Sequence, residues 1–143
     1  EEAASHTTLP YRAPELFEGG CRHGTVEPDV DGGVDVWSLA CLLFAMMYGA
    51  SPFECEFAGP KGIRIVECTH LRVLGEIPTA PSQRYSLSLH NFVEWMLTQD
   101  RSERPNIAQV LHRAEELLEM TGETSALQRS REGDQGEPFD GLL

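Results

Sequence analysis

The 143-residue sequence contains a single lysine, Lys61, and eleven basic residues in all against 23 acidic ones, a formal net charge of −12 at pH 7. That shortage of cations argues against nucleic acid, whose phosphates need Lys and Arg to neutralise them. It equally disfavours docking on a flat anionic membrane. No apolar run reaches the ~20 residues that a bilayer span needs. The longest, Val34 to Ala50, is broken by Asp35 and Ser38 and predicts a core helix surrounded by protein, with no transmembrane segment. The four cysteines (Cys21, Cys41, Cys55, Cys68) form no C-x-x-C pair and have no histidine at zinc spacing, so no metal site is expected. Cys21 and His23 are close, but two groups cannot complete a tetrahedral site. Free thiols in a reducing, cytoplasmic compartment are the reading. Five scattered histidines and no G-x-S-x-G turn leave hydrolase chemistry without support. No signal-peptide pattern stands in these residues.

What is present is mostly helical in pattern. A short helix is expected from Pro14 to about Phe17, then a loop over Glu18 to Gly33 rich in glycine. The apolar helix from about Val34 to Tyr48 is stopped by Gly49, with Ser51-Pro52 fixing the exit. A further helix is expected over Gly62 to Leu71, and Gly75, Pro78 and Pro81 punctuate the loop that follows. Leu89, Phe92, Val93, Met96 and Leu97 recur at helical spacing, so one face of that segment is buried. The same pattern returns in Ile107, Val110, Leu111, Ala114, Leu117 and Leu118. Asn106 and Gln109 form a capping signature before it. After Met120 the apolar periodicity stops and composition predicts a disordered acidic tail over residues 121–143. No sheet is expected, and the fold class reads as all-α.

Four motifs carry function. Thr7-Thr8-Leu9-Pro10-Tyr11-Arg12-Ala13-Pro14-Glu15-Leu16 is followed by Asp35-Val36-Trp37-Ser38-Leu39, then Gly49-Ala50-Ser51-Pro52-Phe53, then Asp100-Arg101-Ser102-Glu103-Arg104-Pro105. Their order and spacing resemble eukaryotic protein kinases from the end of the activation segment onward: T-x-x-Y-x-A-P-E, D-x-W-S, G-x-x-P-F and D-P-x-x-R-P. The chain is most similar to the Numb-associated kinase group, of the myristoylated and palmitoylated serine/threonine kinase type. The resemblance covers residues 1–120. It implies the C-terminal helical-lobe portion of the kinase α+β fold. The G-x-G-x-x-G loop, the strand lysine, H-R-D-x-x-x-x-N and D-F-G all precede A-P-E in kinases, and none occurs in these residues. Lys61 lies after A-P-E and cannot be the strand lysine.

The resemblance assigns roles. Thr8 matches the threonine that orients the catalytic loop, since a hydroxyl both donates and accepts. Thr8, Leu9, Pro10 and Arg12 would line the substrate site, with no acidic group to select basic substrates. Ser5 and Thr7 are phosphosite candidates. Glu15 and Arg104 are expected as a buried ion pair tying the activation segment to the helices below it. Asp35 would meet the missing catalytic loop, Trp37 would be structural, and Leu42 and Met46 would support the column beneath the adenine. Ala40 replaces the usual glycine. The implied activity is serine/threonine kinase chemistry on protein substrates with ATP and Mg²⁺, none of them bound by this segment alone, which is expected to be inactive. The alternative is a non-catalytic helical protein-binding module. The closing Glu137 to Leu143 stretch, with an aromatic and leucines among acids, is similar to segments that clathrin-adaptor ear domains bind. Trafficking partners, and peripheral attachment to Golgi or endosomal membranes through residues upstream of Glu1, follow from the same resemblance.

Overall fold

The computed structural model describes residues 8–18, 32–59, 62–79 and 84–133, and side chains of these except Glu18 and residues 123–133. The chain divides into two compact units, Glu1–Val110 and Leu111–Leu143.

In the first unit a 3₁₀ turn, Leu9–Tyr11, leads into the short helix α1, Glu15–Glu18. Helix α2, Gly33–Tyr48, is the organising element. Asp35 stands in its first turn, where a carboxylate faces the positive end of the helix dipole. Gly49 ends it in the left-handed region at φ 91°, donating its N–H to the Ala45 carbonyl at 2.7 Å. A side chain there would be strained, which is why the helix stops at a glycine. Val36, Trp37, Ala40, Cys41, Phe44 and Met47 are buried, and Trp37 stacks on Phe53 at 5.3 Å between ring centroids. The opposite side departs from the expectation of a fully surrounded helix: Leu39, Leu42 and Met46 are exposed.

The expected helix over Gly62 to Leu71 is corrected. Gly62–Ile65 is strand β2, paired antiparallel with β1, Cys55–Ala58, in the register Cys55↔Ile65 and Phe57↔Ile63. The Val66 N–H extends the ladder to the Glu54 carbonyl at 2.8 Å. The β-branched Ile63, Ile65 and Val66 favour a strand once a pairing partner is available. A Cβ on Gly62 would stand 2.9 Å from the Ala58 carbonyl oxygen, so only glycine fits. Helix survives only as α3, His70–Val73, whose start is capped by Thr69 Oγ1 accepting from the Arg72 N–H. Glu56 joins hairpin to helix by accepting from both Arg64 and Arg72. These two bonds hold its carboxyl below the usual carboxylate range, Arg64 contributing most. The two-stranded hairpin is the one departure from an all-α chain among the described residues, which otherwise form the helical portion of a kinase-like fold.

Helix α4, Leu87–Met96, begins at Ser86, whose Oγ accepts from the Leu89 N–H at 3.3 Å, and packs against α2 through buried Phe92, Val93 and Met96. Helix α5, Ile107–Gly133, opens on a reciprocal capping box. Asn106 Oδ1 accepts from the Gln109 N–H at 3.0 Å and Gln109 Oε1 accepts from the Asn106 N–H at 2.9 Å.

The second unit is the remainder of α5 with the residues after it. The helix continues thirteen residues past Met120, where composition predicts irregular chain. Its stretch from Leu111 is also more exposed than the apolar spacing implies, with Leu111 and Leu118 open and Ala114 and Leu117 half-buried. Local pairs hold this surface: Arg113 Nη1 to Glu116 at 2.7 Å and the Thr121 hydroxyl to the Leu117 carbonyl at 2.8 Å. No helix among the described residues is long and apolar enough to cross a membrane.

Candidate functional site

The segment from Thr8 to Leu16 is held by hydroxyls from two other motifs. Its 3₁₀ turn closes with the Tyr11 N–H on the Thr8 carbonyl at 2.9 Å and the Arg12 N–H on the Leu9 carbonyl at 3.2 Å. Proline at the start suits a turn whose first N–H has no partner. Ser38 Oγ, from α2, donates to the Tyr11 carbonyl at 3.0 Å, and buried Ser51 Oγ donates to the Pro10 carbonyl at 2.5 Å. Ser51 is fixed in turn, its N–H donating to Glu54 Oε1 at 2.9 Å. Pro10 and Ala13 are therefore buried, while Thr8 and Leu9 face outward. The Arg12 guanidinium lies over the Phe17 ring at 5.4 Å, and Phe17 stacks on His70 of α3 at 4.6 Å. Partial burial, followed by the nearby charges of Glu54 and Cys41, raises the Tyr11 hydroxyl pKa.

Below the loop stands an arginine with every direction used. Arg104 Nη1 donates to Glu15 Oε1 at 2.6 Å and Nη2 to Glu15 Oε2 at 2.9 Å, across 89 positions of sequence. Its Nε donates to the Thr98 carbonyl at 2.9 Å, Nη1 also reaches the Gly33 carbonyl at 3.0 Å, and Nη2 the Gln99 carbonyl at 3.3 Å. Its guanidinium sits over Trp37 at 4.9 Å. The Arg104 side chain is 0% exposed and that of Glu15 20%. An arginine fork matches a carboxylate's two oxygens, and here the carbonyls take the donors that the carboxylate leaves over. Removing one partner of so buried a pair costs about 3–5 kcal/mol, because the other is left charged and dry. The turn that delivers Arg104 is built by Asp100, which accepts from the Ser102 N–H at 2.9 Å and from the Ser102 hydroxyl at 2.7 Å.

The remaining site residues lie elsewhere. Asp35 is exposed on α2 and has no side-chain hydrogen bond among the described residues. Leu42 is 50% and Met46 76% exposed, on the side of α2 away from Trp37. Trp37 is fully buried, and its Nε1 is the one buried side-chain polar atom without a partner among the described residues. Ser5, Thr7 and the Glu137 to Leu143 stretch lie outside the described residues. No group of three or more His, Cys, Asp or Glu side chains among the described residues could hold a metal ion. Sequence reasoning passed over Ser38 and Ser51 as anchors. Their only signal was a serine standing inside each of two motif matches, Asp35 to Leu39 and Gly49 to Phe53.

The loop thus presents an outward Thr8 and is clamped by the buried Arg104 beside the apolar helix α2. The protein kinase domain profile matches residues 2–114. This chain belongs to the protein kinase domain family. It is 37% identical over 117 residues to mouse serine/threonine-protein kinase 16, covering 80% of this chain and 34% of that protein. The human protein of the same name is 36% identical over the same length. A probable serine/threonine-protein kinase of Dictyostelium discoideum is 35% identical over 124 residues, 83% of this chain and 30% of that one. The chain thus spans about a third of the length of the curated relatives it matches.

Proposed function

We propose that these residues serve a serine/threonine protein kinase, providing one wall of the protein-substrate site and the helical scaffold beneath it. The observation that carries this reading is the Glu15–Arg104 clamp, which with Ser38 and Ser51 fixes the Thr8–Arg12 segment while leaving Thr8 and Leu9 open. Thr8 would hydrogen-bond the catalytic loop and orient its base, and Leu9, Pro10 and Arg12 would border the substrate residue beyond the phosphorylated hydroxyl. ATP and Mg²⁺ supply the phosphoryl group and charge neutralisation in such enzymes. No group of three or more His, Cys, Asp or Glu side chains among the described residues could hold Mg²⁺. The 143-residue chain, which carries none of the G-x-G-x-x-G, strand-lysine, H-R-D or D-F-G motifs, is proposed to be inactive alone, with Asp35, Leu42 and Met46 supporting catalytic and adenine-binding parts contributed from elsewhere in a longer protein.

Membership of the Numb-associated group, trafficking partners and attachment to Golgi or endosomal membranes belong to the same proposal. They rest on the motif resemblance and on the similarity to serine/threonine kinases. The test is transfer of labelled γ-phosphate from ATP to protein substrates by the longer protein, wild type against Thr8→Ala. The expected result is a loss of ~10²-fold or more in turnover, as for a contact to the catalytic proton acceptor, with unchanged melting temperature. Absence of transfer by the wild type would favour the non-catalytic binding module. Activity of Thr8→Ala within about twofold of wild type would make Thr8 a plain loop residue.

A further inference from the structure

A second surface, away from the Thr8–Arg12 loop, has the features of a peptide groove. Two adjoining depressions share Ile77 and Glu94 and measure about 520 and about 210 Å³. Leu74, Ile77 and Leu87 present apolar surface along them above the buried Val93, and their charged lining residues are Glu76 and Glu94, with no lysine or arginine among the described residues. Along one side runs the irregular stretch Glu76–Thr79. None of its backbone groups has a hydrogen-bond partner among the described residues, although Gly75 just before it accepts from Gln99 Nε2 at 2.9 Å. Unpaired backbone beside an apolar floor is what an added strand needs, main-chain bonds giving affinity and alternate side chains giving selectivity. Two carboxylates without a resident cation fix the sign of the occupant.

We infer that this groove docks an extended, basic segment of a partner protein, its backbone pairing with Ile77 and Thr79 because Pro78 has no N–H to offer, its apolar side chains on Leu74, Ile77 and Leu87, and its Lys or Arg side chains at Glu76 and Glu94. The inference goes beyond phosphoryl transfer and does not rest on it, since every residue named belongs to the folded first unit.

The test uses the full chain and fluorescence anisotropy with a short labelled peptide alternating lysine and valine, a counterpart with glutamate for lysine, and a third with every second valine replaced by proline. The basic peptide should bind at least about tenfold more tightly than either other. Charge reversal by Glu76→Lys with Glu94→Lys should weaken the basic peptide by about tenfold or more, and the milder Glu76→Gln with Glu94→Gln gives the same reading if the reversal impairs folding. Glu115→Lys with Glu119→Lys, exposed on α5, changes net charge equally and should leave binding unaltered. Equal binding of the acidic peptide, or equal weakening by the α5 reversal, would reduce the effect to bulk charge and overturn the groove. Unimpaired binding of the proline peptide would overturn the backbone pairing.

Discussion

The two sides of α2 are built from similar residues and have opposite fates. On one, Trp37 is sealed between Phe53 and the Arg104 guanidinium, and Arg104 satisfies Glu15 and three backbone carbonyls. On the other, Leu39, Leu42 and Met46 stand open to solvent beside Asp35, which has no side-chain hydrogen bond among the described residues. A helix that buries a full stripe of leucine and methionine gains roughly 1.5–3 kcal/mol per side chain, and this side forgoes it. The clamped side therefore reads as finished within these residues. Under the proposed function the open side would be the surface on which further parts of a kinase pack.

The largest effect that would break the contrast lies at the clamp. Glu15→Ala and Arg104→Ala should each cost about 3–5 kcal/mol in denaturant unfolding, with the double change costing far less than their sum. Additive losses would show that the pair is not a direct interaction. Ser51→Ala comes next. It orphans the buried Pro10 carbonyl, for an expected loss of about 1–3 kcal/mol, whereas Ser38→Ala at a half-buried position should cost less. If both changes are silent in a melting experiment, the loop is not held as described.

Negligible near neutral pH, and growing only in alkali, is the contribution of the buried thiols. Burial, chiefly, pushes Cys41 from 9.0 up to about 12 and Cys55 up to about 11. Above pH 9 the unfolded chain releases these protons while the folded chain keeps them, so stability should fall as pH rises from about 9 toward 11–12. Cys41→Ala with Cys55→Ala should flatten that limb of the profile, and an unchanged slope would place its origin elsewhere.

Much of the clamped side was legible in sequence because it is written in motif residues. Glu15, Trp37 and Arg104 each stand at a marked position, and Gly49 and the Asn106–Gln109 box are local signals that need no tertiary knowledge. The hairpin was not legible. The short Gly62 to Ile65 run is too brief to declare itself, and pairing with Cys55–Ala58 is what makes β-branched Ile63 and Ile65 a strand. The open side of α2 was half legible. Apolar residues all round a helix mark it for burial, but they do not say which segment would cover each side. Ser38 and Ser51 escaped because a hydroxyl's partner carbonyl leaves no trace in sequence.

The most direct measurement of the central contrast is the unfolding free energy of Leu42→Ser with Met46→Ser, made both in this chain and in the longer kinase-length protein. The account expects a change within about 0.5 kcal/mol in the chain, where both side chains are already in water, as is usual for exposed positions. It expects a loss of about 2–5 kcal/mol or more in the longer protein, where they would be core residues. Equal small effects in both would contradict it, leaving the open side of α2 as plain surface.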